Sequence, residues 1–121
     1  MTKDRVVLCA SSAYEKKYYF NEKFNMLPEH VKKELKIMCV LYTEDVGGIL
    51  SLEFDKDGNL LFRVEADEGD YLFDEIGSDL KIKELQRTKK ELLQSLELFY
   101  KVFFLKKAVF EINNENREED I

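Results

Sequence analysis

Two strand-like pairs, each followed by a helical periodicity, predict an α+β fold: a four-stranded antiparallel sheet made of two hairpins, with two helices on one face, in the order ββαββα. Three observations carry this prediction. Residues 47–66 alternate apolar and polar side chains on both sides of an Asp-Gly turn. Residues 28–45 and residues 79–105 repeat apolar side chains at spacings of three and four. The 121-residue chain is 45% hydrophobic with a single proline, enough for one core and too short for two ordinary domains.

In chain order, residues 5–10 are β-branched and apolar, and a second extended run follows Ser11, Ser12 and Ala13 at residues 14–20. Together they predict a first hairpin. Residues 21–27 connect it to the first helix, with Phe24 and Met26 expected to tuck against the core. Pro28 suits the first helical position and Glu29 the positive end of the helix dipole. Val31, Leu35, Met38, Cys39, Tyr42 and Val46 form the stripe that faces the sheet, and Gly47 stops the helix. Ile37, Val40 and Leu41 lie off that stripe, so residues 37–42 call for cover on a second side, from another helix or another subunit.

The central hairpin has a definite register. A two-residue Asp57-Gly58 loop would set Leu52 opposite Arg63 and divide the apolar residues between two faces. A loop of Lys56, Asp57 and Gly58, with Gly58 in the left-handed region, pairs Phe54 with Leu60, Leu52 with Phe62 and Leu50 with Val64. All six then share one face. Beyond an acidic connection at 67–79, Ser78 or Asp79 is an acceptable N-cap for a second helix reaching about residue 105. Ile82, Leu85, Leu92, Leu93, Leu96, Phe99, Tyr100 and Phe103 follow its buried face. About 27 residues would span ~40 Å, longer than a hairpin strand, so the helix must overhang, bend or meet a partner. Residues 106–112 suit a short strand or a helical continuation. A single domain is expected over residues 1–112, followed by a disordered acidic tail at 113–121.

The formal net charge of −6 argues against nucleic acid or an anionic membrane surface as principal partner, because both are themselves anionic. The N-terminal apolar run is too short for a signal peptide, and no stretch approaches the ~20 apolar residues of a membrane span. A cytoplasmic setting is expected. Cys9 and Cys39 are far apart, set in apolar runs and not in a Cys-x-x-Cys arrangement, which suits buried reduced thiols better than a disulfide.

Chemistry-bearing residues concentrate at 67–79. Asp67, Asp70, Asp74 and Glu75 are weak candidates for Mg²⁺ or Ca²⁺, which take oxygen ligands. The plainer reading is charge placed near a helix N-terminus, worth ~0.3–1 kcal/mol per carboxylate, and a third is an acidic aromatic patch that docks a basic partner. Residues 55–59 open like a calcium loop, but Leu60 stands where that motif needs glycine and Ala66 where it needs glutamate, so they read as a turn. His30 is the sole histidine, on a helix first turn, which excludes a multi-histidine metal centre. Cys39 lies too deep in an apolar run to act with it as a nucleophile. Gly47-Gly48 lacks the Gly-Lys-Ser/Thr of a phosphate loop. Lys81, Lys83, Arg87, Lys89 and Lys90 make a basic helix face, with Lys89 beside the apolar stripe. Tyr14, Tyr18, Tyr19, Phe20 and Phe24 fill a core or line a ligand pocket. No catalytic residue and no cofactor is expected.

The run at 35–55, followed by Phe62-Arg-Val-Glu-Ala and by Leu72-Phe-Asp-Glu-Ile-Gly-Ser, resembles a family of small uncharacterised proteins from Gram-positive anaerobic bacteria. The resemblance spans about residues 5–105. It implies a bacterial cytoplasmic setting and transfers no activity, cofactor or site residue.

These readings converge on a small interaction or regulatory module, expected to be a homodimer or to bind a protein partner, through Tyr71, Phe73, Leu98, Tyr100, Val102, Phe104 and Leu105. The alternative is a small-molecule- or metal-binding domain, possibly an enzyme, with a cavity between sheet and helices.

Overall fold

Alternation and turn chemistry give the strands, and apolar stripes give the helices that cover them. The computed structural model describes residues 5–106 and shows β1 (Val6–Ser12), β2 (Lys17–Phe20), a 3-10 turn (Glu22–Phe24), α1 (Glu29–Val46), β3 (Ile49–Phe54), β4 (Leu60–Glu65), α2 (Glu75–Thr88) and α3 (Lys90–Phe103). The class is α+β with one four-stranded antiparallel sheet, ordered β2-β1-β3-β4. There are three helices among the described residues where two were expected. The expected segment at 106–112 lies outside the described residues save for Lys106, and the tail at 113–121 lies wholly outside them.

The central hairpin has the predicted register, Phe54 opposite Leu60, Leu52 opposite Phe62 and Leu50 opposite Val64. Gly58 takes φ +89° and its N–H bonds the Asp55 carbonyl at 3.0 Å. The Asp55 carboxylate accepts the N–H groups of Asp57 and Asn59, both at 2.9 Å, and the Asn59 amide. In the first hairpin the second strand begins at Lys17, because residues 13–16 form the turn. A bulge between Val7 and Cys9 lets Leu8 and Cys9 both be fully buried.

The α1 stripe is buried from Leu35 to Val46 against Leu8, Cys9, Leu50, Leu52 and Phe54 of the sheet. Pro28 is the N-cap of α1 with extended backbone, one residue before the helical position expected for it. Phe24 is fully buried, whereas Met26 is 60% exposed, contrary to expectation. From the same connection Leu27 turns inward instead.

The expected single second helix is two. It starts at Glu75, earlier than expected, because the Asp74 carboxylate accepts the Gly77 N–H at 2.8 Å and caps it. Ser78 is instead a buried residue whose hydroxyl meets that of Tyr42. The break falls at Lys89 (φ −107°, ψ 20°), where Nζ reaches Glu34 of α1 at 3.1 Å. Thus the residue nearest the apolar stripe is where the helix turns, and the bend answers the overhang of a straight ~40 Å rod.

The bend brings α3 onto the central hairpin. Tyr100 stacks on Phe54 at 4.2 Å between ring centroids, and Phe104 lies 4.9 Å from Phe24 and 5.0 Å from Tyr100. Such pairs contribute ~0.5–1.5 kcal/mol each beyond burial. The second neighbour wanted by the end of the last helix is therefore the chain's own Phe24, and Leu105 packs on the same core. Phe103, expected on the buried face, is 56% exposed and stacks on Phe99.

Candidate functional site

The acidic connection between β4 and α2 is held in one conformation from three directions. Tyr14, in the β1–β2 turn, donates its hydroxyl to the Asp70 carboxylate at 2.6 Å and accepts the Asp67 N–H at 2.8 Å. The hydrogen bond to Asp70 raises the pKa of the exposed Tyr14 phenol above its ordinary value. Asp70 also accepts the Leu72 N–H at 3.0 Å. Phe73 rests on the Gly47-Gly48 corner, where a Cβ on Gly48 would fall 2.7 Å from the Glu65 carbonyl and 2.9 Å from the Phe73 ring. The Asp74 N–H then bonds the Val46 carbonyl at 3.3 Å, just before its side chain caps α2.

Between these anchors Tyr71 is 96% and Leu72 94% exposed. Ile76 and Leu80, one helical turn apart on α2, are exposed as well. The acidic aromatic patch expected from sequence comprises Tyr71, Leu72 and Phe73, and Ile76 and Leu80 are absent from the residues singled out there. The early start of α2 is the missing signal, since only a helix from Glu75 sets Ile76 and Leu80 opposite the buried Ser78 and Leu85.

The expected interaction surface divides. Tyr71 and Leu98 are exposed, and Val102 is half-buried. Phe73 is seated on the glycine corner. Tyr100 belongs to the core, which corrects its placement on a surface, and Phe104 and Leu105 pack against that core. The metal candidates are engaged separately: Asp70 with Tyr14 and Leu72, Asp74 with Gly77. Among the described residues no group of three or more His, Cys, Asp or Glu side chains is arranged to hold a metal ion. His30 is exposed on the first turn of α1.

Cys9 and Cys39 are unbridged and fully buried, with sulfurs 3.9 Å apart. The contact with Cys9 and burial push the Cys39 thiol far up, which leaves it protonated and unreactive. Tyr18 stands over the same pair. Burial, then the two thiols, push its phenol up, and its hydroxyl is buried without a hydrogen-bond partner.

The predicted register sets Ser51, Glu53, Leu61, Arg63 and Glu65 on the outer face of the sheet, and the burial of one of these charged groups is what sequence did not reveal. Glu53 alternates away from the core yet is only 4% exposed. Arg5 and Arg63 flank its carboxylate at 3.7 Å each and Ser51 donates to it at 2.9 Å. Strand pairing assembles this cluster, because Val7 and Leu61 are the cross-strand neighbours that wall Glu53 in.

No described helix is long and apolar enough to cross a membrane. The model of a family of unknown function, DUF6145, matches residues 5–108, and the chain belongs to that family. No curated protein and no solved structure matches the chain.

Proposed function

We propose that this member of a family of unknown function is a protein-interaction or regulatory module whose acidic connection presents Tyr71 and Leu72 to a basic, amphipathic segment of a partner protein. The carrying observation is the near-complete exposure of two large apolar side chains, 96% and 94%, on a backbone fastened at Tyr14, Gly48 and Val46. Burying both on a partner would stabilise the complex by ~1.5–3 kcal/mol per side chain before association costs. Preordering the loop lowers those costs. Exposed Asp67, Glu68 and Glu75 rim the apolar residues with negative charge, which selects lysine- and arginine-bearing partners and speeds their encounter. The setting that goes with this reading is the cytoplasm of Gram-positive anaerobic bacteria.

The test is co-purification of the tagged full chain from its own host, beside a Tyr71→Ser/Leu72→Ser double variant. A basic partner captured by the wild-type chain, lost with the variant and weakened by salt is the expected result. Capture that survives both changes would refute the proposal. A second reading, a homodimer through α1, is favoured by Ile37 and Leu41, which are 58% and 51% exposed one helical turn apart. Sedimentation of the wild-type chain and of Leu41→Glu tests it, and a monomer at every concentration removes it.

A further inference from the structure

A groove of about 710 Å³ lies between α1 and the β1–β2 hairpin. Lys16 enters it from the turn, Lys17 from β2 and Lys36 from α1. Among the described residues none of these three lysines forms an ion pair, as is true also of Lys23, Lys33, Lys56, Lys90 and Lys101. In a chain of net charge −6, three lysines lining one groove, against Glu44 as its only acidic lining residue, make a local reversal of charge. Lys16 is also held in the left-handed region at φ +53°, a conformation that non-glycine residues keep where surrounding structure imposes it.

The wall beside these charges is both polar and apolar. The Ser11 and Thr43 hydroxyls bond each other at 2.8 Å. Tyr18 lines the same groove, while its hydroxyl is buried beside the thiols of Cys9 and Cys39. Ala13, Val40 and the Tyr18 ring supply apolar surface. Ligand sites combine an apolar wall with a few convergent polar groups in this way.

We propose that the groove binds a small organic anion, a carboxylate or phosphate monoester on an apolar body, with Lys16, Lys17 and Lys36 holding the charge. This site is separate from the Tyr71–Leu72 surface and does not rest on the reading of that surface.

Titration calorimetry and amide NMR of the full chain test it, with benzoate and phenyl phosphate as probes and benzyl alcohol as the uncharged control. Saturable binding of at least one anion is expected, with shifts confined to residues 11–18 and 36–44 and weakened by salt. Tighter binding of phenyl phosphate identifies a phosphate ligand, and tighter binding of benzoate a carboxylate. Lys16→Gly, which keeps the turn, and Lys36→Gln should each weaken binding about threefold. Benzyl alcohol binding as tightly as the anions overturns the proposal. So do an absence of saturable shifts in the groove and unchanged affinity in the Lys16→Gly/Lys36→Gln double variant.

Discussion

In the β3–β4 turn, Gly58 absorbs the positive φ and the Asp55 carboxylate gathers the amides of Asp57 and Asn59. The β1–β2 turn puts Lys16 at φ +53° and ties itself with one side-chain bond, from the Glu15 N–H to Ser12 Oγ at 3.2 Å. Its remaining chemistry points outward: Tyr14 reaches the acidic connection, and Lys16 enters the groove beside α1. One turn is closed within itself and sits on α3, where Lys101 and Leu105 pack over Gly58. The other accepts local strain and positions groups for two distant regions. The locally satisfied hairpin is scaffold, and the strained one borders both surfaces proposed to bind.

Replacing Gly58 should break this contrast most strongly. An alanine there must hold φ +89°, and its Cβ would fall 2.7 Å from Cγ of Lys101. Lys101 is flexible and can move, so the backbone conformation sets most of the cost, about 1–2 kcal/mol. Urea unfolding should show that loss in midpoint with an unchanged slope. An unaltered midpoint would mean that the turn tolerates side chains and that the two hairpins do not differ in this respect.

Asp55→Ala comes next. Burial pushes the Asp55 carboxyl up, but the hydrogen bonds from Asn59, Asp57 and Gly58 outweigh it and hold the pKa below its ordinary value. A lowered folded-state pKa contributes stability that is fully present above the unfolded value of about 3.9 and is lost as pH falls through the folded one. The group sits half-buried at the surface of the turn, and solvent screening limits the effect to about 1 kcal/mol. The stability difference between wild type and variant should hold at neutral pH and narrow below about pH 4. A difference that does not change with pH would show that the carboxylate charge has no part in the turn.

The contrast between the turns also explains what sequence could reveal. The register of β3 and β4 was legible because Asp55, Gly58 and the alternation of Leu50, Leu52 and Phe54 act locally. Ser11, Ser12 and Ala13 carry no comparable turn chemistry, so the start of β2 was set by tertiary contacts. The start of α2 was misplaced because Asp74, Ser78 and Asp79 are all competent caps. The choice among them rests on Phe73 docking on Gly48 and on the Tyr42–Ser78 contact, both between distant parts of the chain. Tyr71 was visible as an aromatic in an acidic run. The groove was not, since Lys16, Lys17 and Lys36 are ordinary surface lysines until β2 and α1 are placed side by side.

Lys16→Gly should have the smallest effect on the fold, and of opposite sign. A lysine at φ +53° is held in a region that glycine occupies without a Cβ penalty. Relief of that penalty, offset by the greater freedom of glycine in the unfolded chain, leaves a gain of about 0.5 kcal/mol. Thermal unfolding of the two proteins at the same pH and salt measures it. Since Lys16 also lines the groove, a variant that is more stable yet binds organic anions more weakly would show that strain in this turn serves the ligand. A variant that loses stability instead would mean that the lysine side chain holds the first hairpin together, and the distinction between a scaffold turn and a binding turn would fail.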